Sequence, residues 1–125
     1  MSRTLIANTT DTDAGYCFIS DLATQLGNIS PRLSKSIVLA IEQAQGIRLN
    51  YALIDKVSFN SLHNILSFIF DIDNPLGDQA FEKLVIEVPR EALKNVKLPQ
   101  IKNVLTAQIF DGAYQFRDNG YKFKG

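Results

Sequence analysis

The chain is predicted to form one α/β or α+β domain: a mixed, partly parallel sheet flanked by helices, with a C-terminal β-hairpin. Three observations predict this. The segment from Ser30 to Gly46 carries helix punctuation at both ends and apolar residues spaced by three and four. Strand-like segments lie beyond it, at Ile47–Ile54 and Leu84–Val88, separated by a second stretch of helical spacing. The tail contains Asn119-Gly120, the favoured pair for a two-residue hairpin turn. With 125 residues, 46% of them hydrophobic and 21% charged, the chain has the size and composition of one globular unit, so residues 1–125 are expected to be a single domain.

The elements follow in order. Leu5-Ile6-Ala7 suits a short edge strand, Asn8 to Gly15 a polar turn, and Tyr16-Cys17-Phe18-Ile19 a second apolar run. Ser20 or Asp21 can cap a brief helix that stops at Gly27. In the main helix Ser30 is the cap, Pro31 takes the permitted first position and Gly46 stops it, with Leu33, Ile37, Ile41 and Ala44 on one stripe. Ile47 to Ile54 reads as a strand that becomes apolar on both faces from Ala52. A helix from Asn60 or Ser61 to about Phe70 is expected next, with Leu62, Ile65, Leu66 and Ile69 as its core stripe and Phe68 and Phe70 as apolar surface outside it. Asp71 to Ala80 is a loop. Leu84 to Val88 is a strand halted by Pro89, Arg90 to Val96 a short helix, and Val104 to Lys124 a tail with turns at Asp111-Gly112 and Asn119-Gly120. Alternation of strands and helices in the middle of the chain suggests βαβ units.

Bulk charge narrows the function classes. Thirteen Lys+Arg balance thirteen Asp+Glu, so no broad field attracts a nucleic-acid backbone or an anionic membrane. Cys17 is the one cysteine, which leaves no intrachain disulfide and suits a reducing compartment. Polar residues from Asn8 follow the first apolar residues too soon for a signal peptide, and Ile65 to Phe70 is too short to span a bilayer. A cytoplasmic protein without membrane contact is expected.

Chemistry-bearing motifs are sparse. His63 is the single histidine, and neither an orienting carboxylate nor an oxyanion site has a sequence signature, so no catalytic residue is assigned. One histidine and one cysteine do not make a zinc set, and no metal or cofactor is expected. Asp71, Asp73 and Glu82 fall at positions one, three and twelve of a calcium-loop template, but Pro75 and Leu76 occupy positions where that loop needs an oxygen ligand and a glycine. In the tail, Tyr114, Phe116, Tyr121 and Phe123 alternate with Arg117, Lys122 and Lys124. That pattern serves single-stranded nucleic acid as a stacking platform, and serves a hairpin equally well as packing.

The most suggestive stretch is Leu53 to Leu66, where an apolar run ends in the corner Asn60-Ser61. Val57-Ser58-Phe59, the corner and the segment Glu82 to Val96 together resemble the STAS domain family, the anti-sigma-factor antagonists and their STAS-like relatives, over about residues 30–98. In that family a central strand leads to a corner hydroxyl at a helix start, and phosphorylation there controls docking to a partner kinase. The resemblance places Asn60 where an acidic residue often stands and Ser61 at the switch hydroxyl. A phosphate on Ser61 would then meet free amides and the favourable dipole of a helix N-terminus. The simpler role for Asn60 and Ser61 is to cap that helix.

The functional expectation is a non-enzymatic protein-interaction or regulatory module, a STAS-like switch in bacterial signalling or conflict systems. It would bind another protein, or a second copy of itself, through Asn60, Ser61, Leu62, His63, Phe68 and Phe70. The alternative is a small single-stranded nucleic-acid-binding protein using Tyr114, Phe116, Arg117, Tyr121, Lys122 and Phe123. A third class, an enzyme that assembles its site between two copies, is left open by sequence.

Overall fold

The computed structural model describes residues 22–27, 29–73 and 82–117. A helical turn over 22–27 (α1) precedes α2 (Ser30–Gln45), β1 (Tyr51–Asn60), β2 (Ile65–Asp73) and β3 (Lys83–Pro89). Two 3-10 turns, Arg90–Leu93 and Leu98–Gln100, lead into α3 (Ile101–Phe110), and β4 (Tyr114–Arg117) follows. The architecture is α+β.

Helix α2 forms where its punctuation places it. The expected cap is corrected by one position: Ile29, not Ser30, stands at the cap position, Ser30 is the first helical residue, and Pro31 lies in the first turn. Gly46 ends the helix in the left-handed region at φ 68°, donating its amide to the Glu42 carbonyl at 2.8 Å. Leu33, Ile37 and Ile41 are buried as the spacing predicts, and Ala40 joins them, whereas Ala44 is exposed. The turn into β1 is fixed by the Glu42 carboxylate, which accepts the Leu49 amide at 3.0 Å.

The four strands lie in the order β1-β2-β3-β4, and every neighbouring pair is antiparallel. This corrects the expected partly parallel sheet. β1 and β2 are joined by four residues, a connection that only antiparallel neighbours allow. Between β3 and β4 the chain runs out and back through residues 90–110 and returns to the end it left, where Glu87 donates its amide to the Ala113 carbonyl at 2.9 Å. The expected C-terminal hairpin is described only as far as its first strand, β4, which pairs with β3. Asn119-Gly120 lies outside the described residues, as do the strands expected at Leu5–Ala7 and Tyr16–Ile19.

Segment 61–70 differs most from expectation, being a turn followed by a central strand rather than a helix. Leu66, Phe68, Phe70 and Ile72 alternate on one face and are all buried, meeting Ala52, Ile54, Val57 and Phe59 of β1 and Leu84, Ile86 and Val88 of β3. Phe68 and Phe70 are 0% exposed and are the largest fully buried side chains of the core. They are therefore not available as surface anchors. α2 and α3 cover this face through Leu33, Ile37, Ile41, Ile101, Leu105 and Ile109. Helix α3 was not anticipated from the sequence.

The opposite face is charged at its rim. Its rows run Asn60–Ile65–Pro89, Ser58–Ser67–Glu87, Lys56–Ile69–Val85–Gln115 and Leu53–Asp71–Lys83–Arg117. Ile69 and Val85 at its centre are buried. Lys83 is buried too, and its ammonium contacts Asp55 at 3.2 Å and also Asp71, so its charge is paired across three strands.

Burial ranks the effects of substitution. Phe68→Ala should lower unfolding free energy by about 3 to 5 kcal/mol, whereas His63→Ala should stay within about 0.5 kcal/mol. Urea denaturation followed by circular dichroism checks both, and a small loss for Phe68→Ala would contradict its place in the core.

Candidate functional site

The β1–β2 turn is the part of the described surface that gathers the most residues singled out from sequence. Asn60, Ser61, Leu62, His63 and Asn64 are all exposed there. Asn60, not Ser61, is the capping residue. Its side-chain oxygen accepts the amide of Leu62 at 3.0 Å and that of His63 at 3.2 Å. Short Asn side chains mimic a backbone turn in this way. Asn64 closes the loop in the left-handed region at φ 60°, a conformation that asparagine adopts more readily than bulkier residues.

The loop is also tied to the neighbouring strand. Arg90, just after β3, donates its amide to the Asn64 carbonyl at 3.0 Å, and its guanidinium carbon lies 5.9 Å from the centre of the Phe59 ring. Phe59 is half-buried against the core. Backbone bonds, a side-chain cap and a cation over an anchored ring thus hold the tip from both sides.

On this fixed loop Leu62 is 84% exposed, more than Phe110 at 57% or Leu39 at 49%. The helical spacing assigns it to a core stripe, but the hairpin turns it outward. Ser61 and His63 flank it. His63 is the one histidine among the five tip residues.

The sequence-derived candidates therefore divide. Asn60, Ser61, Leu62 and His63 come together at the tip, while Phe68 and Phe70 lie inside the core. Arg90 and Asn64 complete the tip. Asn64 carries a sequence signal, as an asparagine before an apolar run, whereas Arg90 is brought in only by strand pairing.

Of the aromatic and basic tail residues, Tyr114 and Phe116 lie on the helix-covered face, edge to face with centroids 5.8 Å apart, and Tyr114 also contacts Gln45. Arg117 points to the other face, beside Lys83 in the register. Tyr121, Lys122 and Phe123 lie outside the described residues.

The calcium-loop residues Asp71 and Asp73 are strand residues. Asp71 pairs with Lys83, and the Asp73 carboxylate accepts from Asn50 Nδ2 at 2.6 Å. Among the described residues no group of three or more His, Cys, Asp or Glu is placed to hold a metal ion, and no helix is long and apolar enough to cross a membrane.

Comparison with family models, with curated proteins and with solved structures finds no match in any of the three. Val57-Ser58-Phe59 lies in β1 and the Asn60-Ser61 corner leads into the turn, and the element after the corner is β2. Ser61 is thus an exposed turn residue and not the start of a helix.

The turn geometry assigns different weights to two adjacent polar residues. Asn60→Ala removes an acceptor from two amides and should cost about 1 kcal/mol. Ser61→Ala should change stability by less than about 0.5 kcal/mol. Chemical denaturation of the two variants side by side checks this, and the reverse order would contradict the capping role of Asn60.

Proposed function

We propose that the protein is a non-enzymatic interaction module that docks on a partner protein through the β1–β2 tip, with Leu62 as its apolar anchor. The supporting observation is the near-complete exposure of Leu62 on a loop whose conformation is set before binding. A side chain presented on an ordered loop loses little further freedom on docking, so more of its burial appears as affinity. Ser61 and His63, exposed on either side of it in the chain, would supply polar contacts at the rim.

The STAS-like switch takes a narrower form here. A phosphoryl group on Ser61 would add about −1.5 to −2 charges next to the anchor and oppose its entry into an apolar pocket. Signalling modules and toxin-neutralising modules both act through such complementary contact, and the tip suits either.

Leu62→Asp should leave the urea midpoint unchanged and reduce partner recovery at least tenfold, about 1.4 kcal/mol or more. Affinity capture from the native cell with wild-type and Leu62→Asp bait, compared by quantitative mass spectrometry, measures this. An identical set of proteins recovered at equal yield by the two baits would overturn the proposal.

A further inference from the structure

Charge is balanced over the whole chain but not along it. Residues 90–102 hold four of the thirteen basic residues, Arg90, Lys94, Lys97 and Lys102, and one of the thirteen acidic ones, Glu91. Lys94 and Lys97 are exposed, and neither they nor Lys102 makes an ion pair among the described residues. Part of this charge stands where it weakens the fold. Lys102 is the second residue of α3, whose first turn carries no acidic side chain, so a cation meets the positive end of the helix dipole. Local stability therefore does not account for the run.

The run begins at the tip. The Arg90 amide is bonded to the Asn64 carbonyl, and the 3-10 turn Arg90–Leu93 carries the chain on to Lys94, whose own amide donates to the Glu91 carbonyl at 3.1 Å. Two residues of turn and four of 3-10 backbone keep the Leu62 and Lys94 Cα atoms within about 25 Å of each other. An ordinary interface, about 800 Å² on each partner, is roughly 30 Å across. Leu62 and Lys94 thus fit inside one footprint, with Lys97 three residues further on. Residues 60–64 add no carboxylate to it. The nearest acidic residues in this stretch are Glu87 and Glu91, against Arg90, Lys94 and Lys97, which leaves the footprint net positive.

We infer that the partner met by the tip is a folded protein with an acidic docking face: an apolar pocket for Leu62, bordered by Asp and Glu side chains that meet Lys94 and Lys97. This specifies the chemistry of the partner and rests on the docking role proposed for Leu62. A nucleic acid would accept the cations but not the anchor, because an aliphatic side chain gives bases no face to stack on. An anionic membrane would also accept the cations, but the tip offers it a single apolar side chain between polar Ser61 and His63. At physiological ionic strength exposed charges interact over about 8 Å. The lysines therefore act at close range, and their effect falls mainly on the association rate and its salt dependence.

Four baits test the inference by affinity capture from the native cell: wild type, Leu62→Asp, the double variant Lys94→Glu/Lys97→Glu, and Lys94→Arg/Lys97→Arg. Proteins recovered by wild type and lost by Leu62→Asp form the tip-dependent set. Its members should be net negative. The glutamate double variant should recover them about fivefold less at about 50 mM salt and within about twofold of wild type at about 500 mM, while the arginine double variant should match wild type throughout. With the most enriched member purified, surface plasmon resonance should show the glutamate loss in the association rate. A neutral or basic tip-dependent set, or wild-type recovery by the glutamate double variant, would overturn the inference and leave the docking role of Leu62 standing. No loss with Leu62→Asp would overturn both. A thymidine oligonucleotide and phosphatidylserine vesicles, titrated in the same low-salt buffer, should bind more weakly than the purified member. Tighter binding of either, lost in the glutamate double variant, would overturn the inference in favour of a nucleic acid or a membrane.

Discussion

The fold depends on β2 presenting Leu66, Phe68, Phe70 and Ile72 to one side. β2 is an interior strand, bonded to β1 and β3, and it supplies the two largest fully buried side chains. A strand that buries alternate large residues is fixed in register, since a slip by one would turn both phenylalanines to the other face. Both helices then have one surface on which their apolar stripes can be covered, and the sheet is closed on that side by α2 and α3. On the opposite face Lys83 is buried with Asp55 of β1 and Asp71 of β2 meeting its charge.

That constraint also produces the candidate site. With Phe59 and Leu66 held opposite one another on the core face, the chain must reverse within Asn60–Ile65, and the reversal is made by local chemistry. The Asn60 side chain takes two amides, Asn64 takes the left-handed conformation, and Arg90 secures the loop from β3. Leu62 has no direction left but outward. Its exposure follows from the same pairing that buries Phe68, so the core and the tip are two consequences of one register.

Much of this was legible in the sequence. Pro31 and Gly46 delimit α2 because helix ends are decided locally, by which residues tolerate first-turn and left-handed backbone, although the cap falls on Ile29 and not on Ser30. Leu84–Val88 and the Asp111-Gly112 turn were legible for the same reason. Segment 61–70 was not, because Leu62, Ile65, Leu66 and Ile69 satisfy a helical spacing while Leu66, Phe68, Phe70 and Ile72 satisfy an alternating one. Tertiary pairing chose the second. The richness of the segment in isoleucine and phenylalanine was the local signal in favour of a strand. Helix α3 was hidden by a weak apolar pattern, with Ile101, Leu105 and Ile109 at a single spacing of four and turn residues just beyond. Of the site, Asn60 through His63 could be gathered from sequence by adjacency. Arg90 could not, since it reaches the tip only through the pairing of β2 with β3.

Nuclear Overhauser spectroscopy across residues 61–72 tests the account most directly. The structure predicts cross-strand contacts from Phe68 to Val57 and to Ile86, with slow amide exchange through the centre of β2. Sequential contacts of the three- and four-residue kind running from Leu62 to Phe70, with no cross-strand contacts at Phe68, would contradict it. The buried core and the outward Leu62 would then fall together.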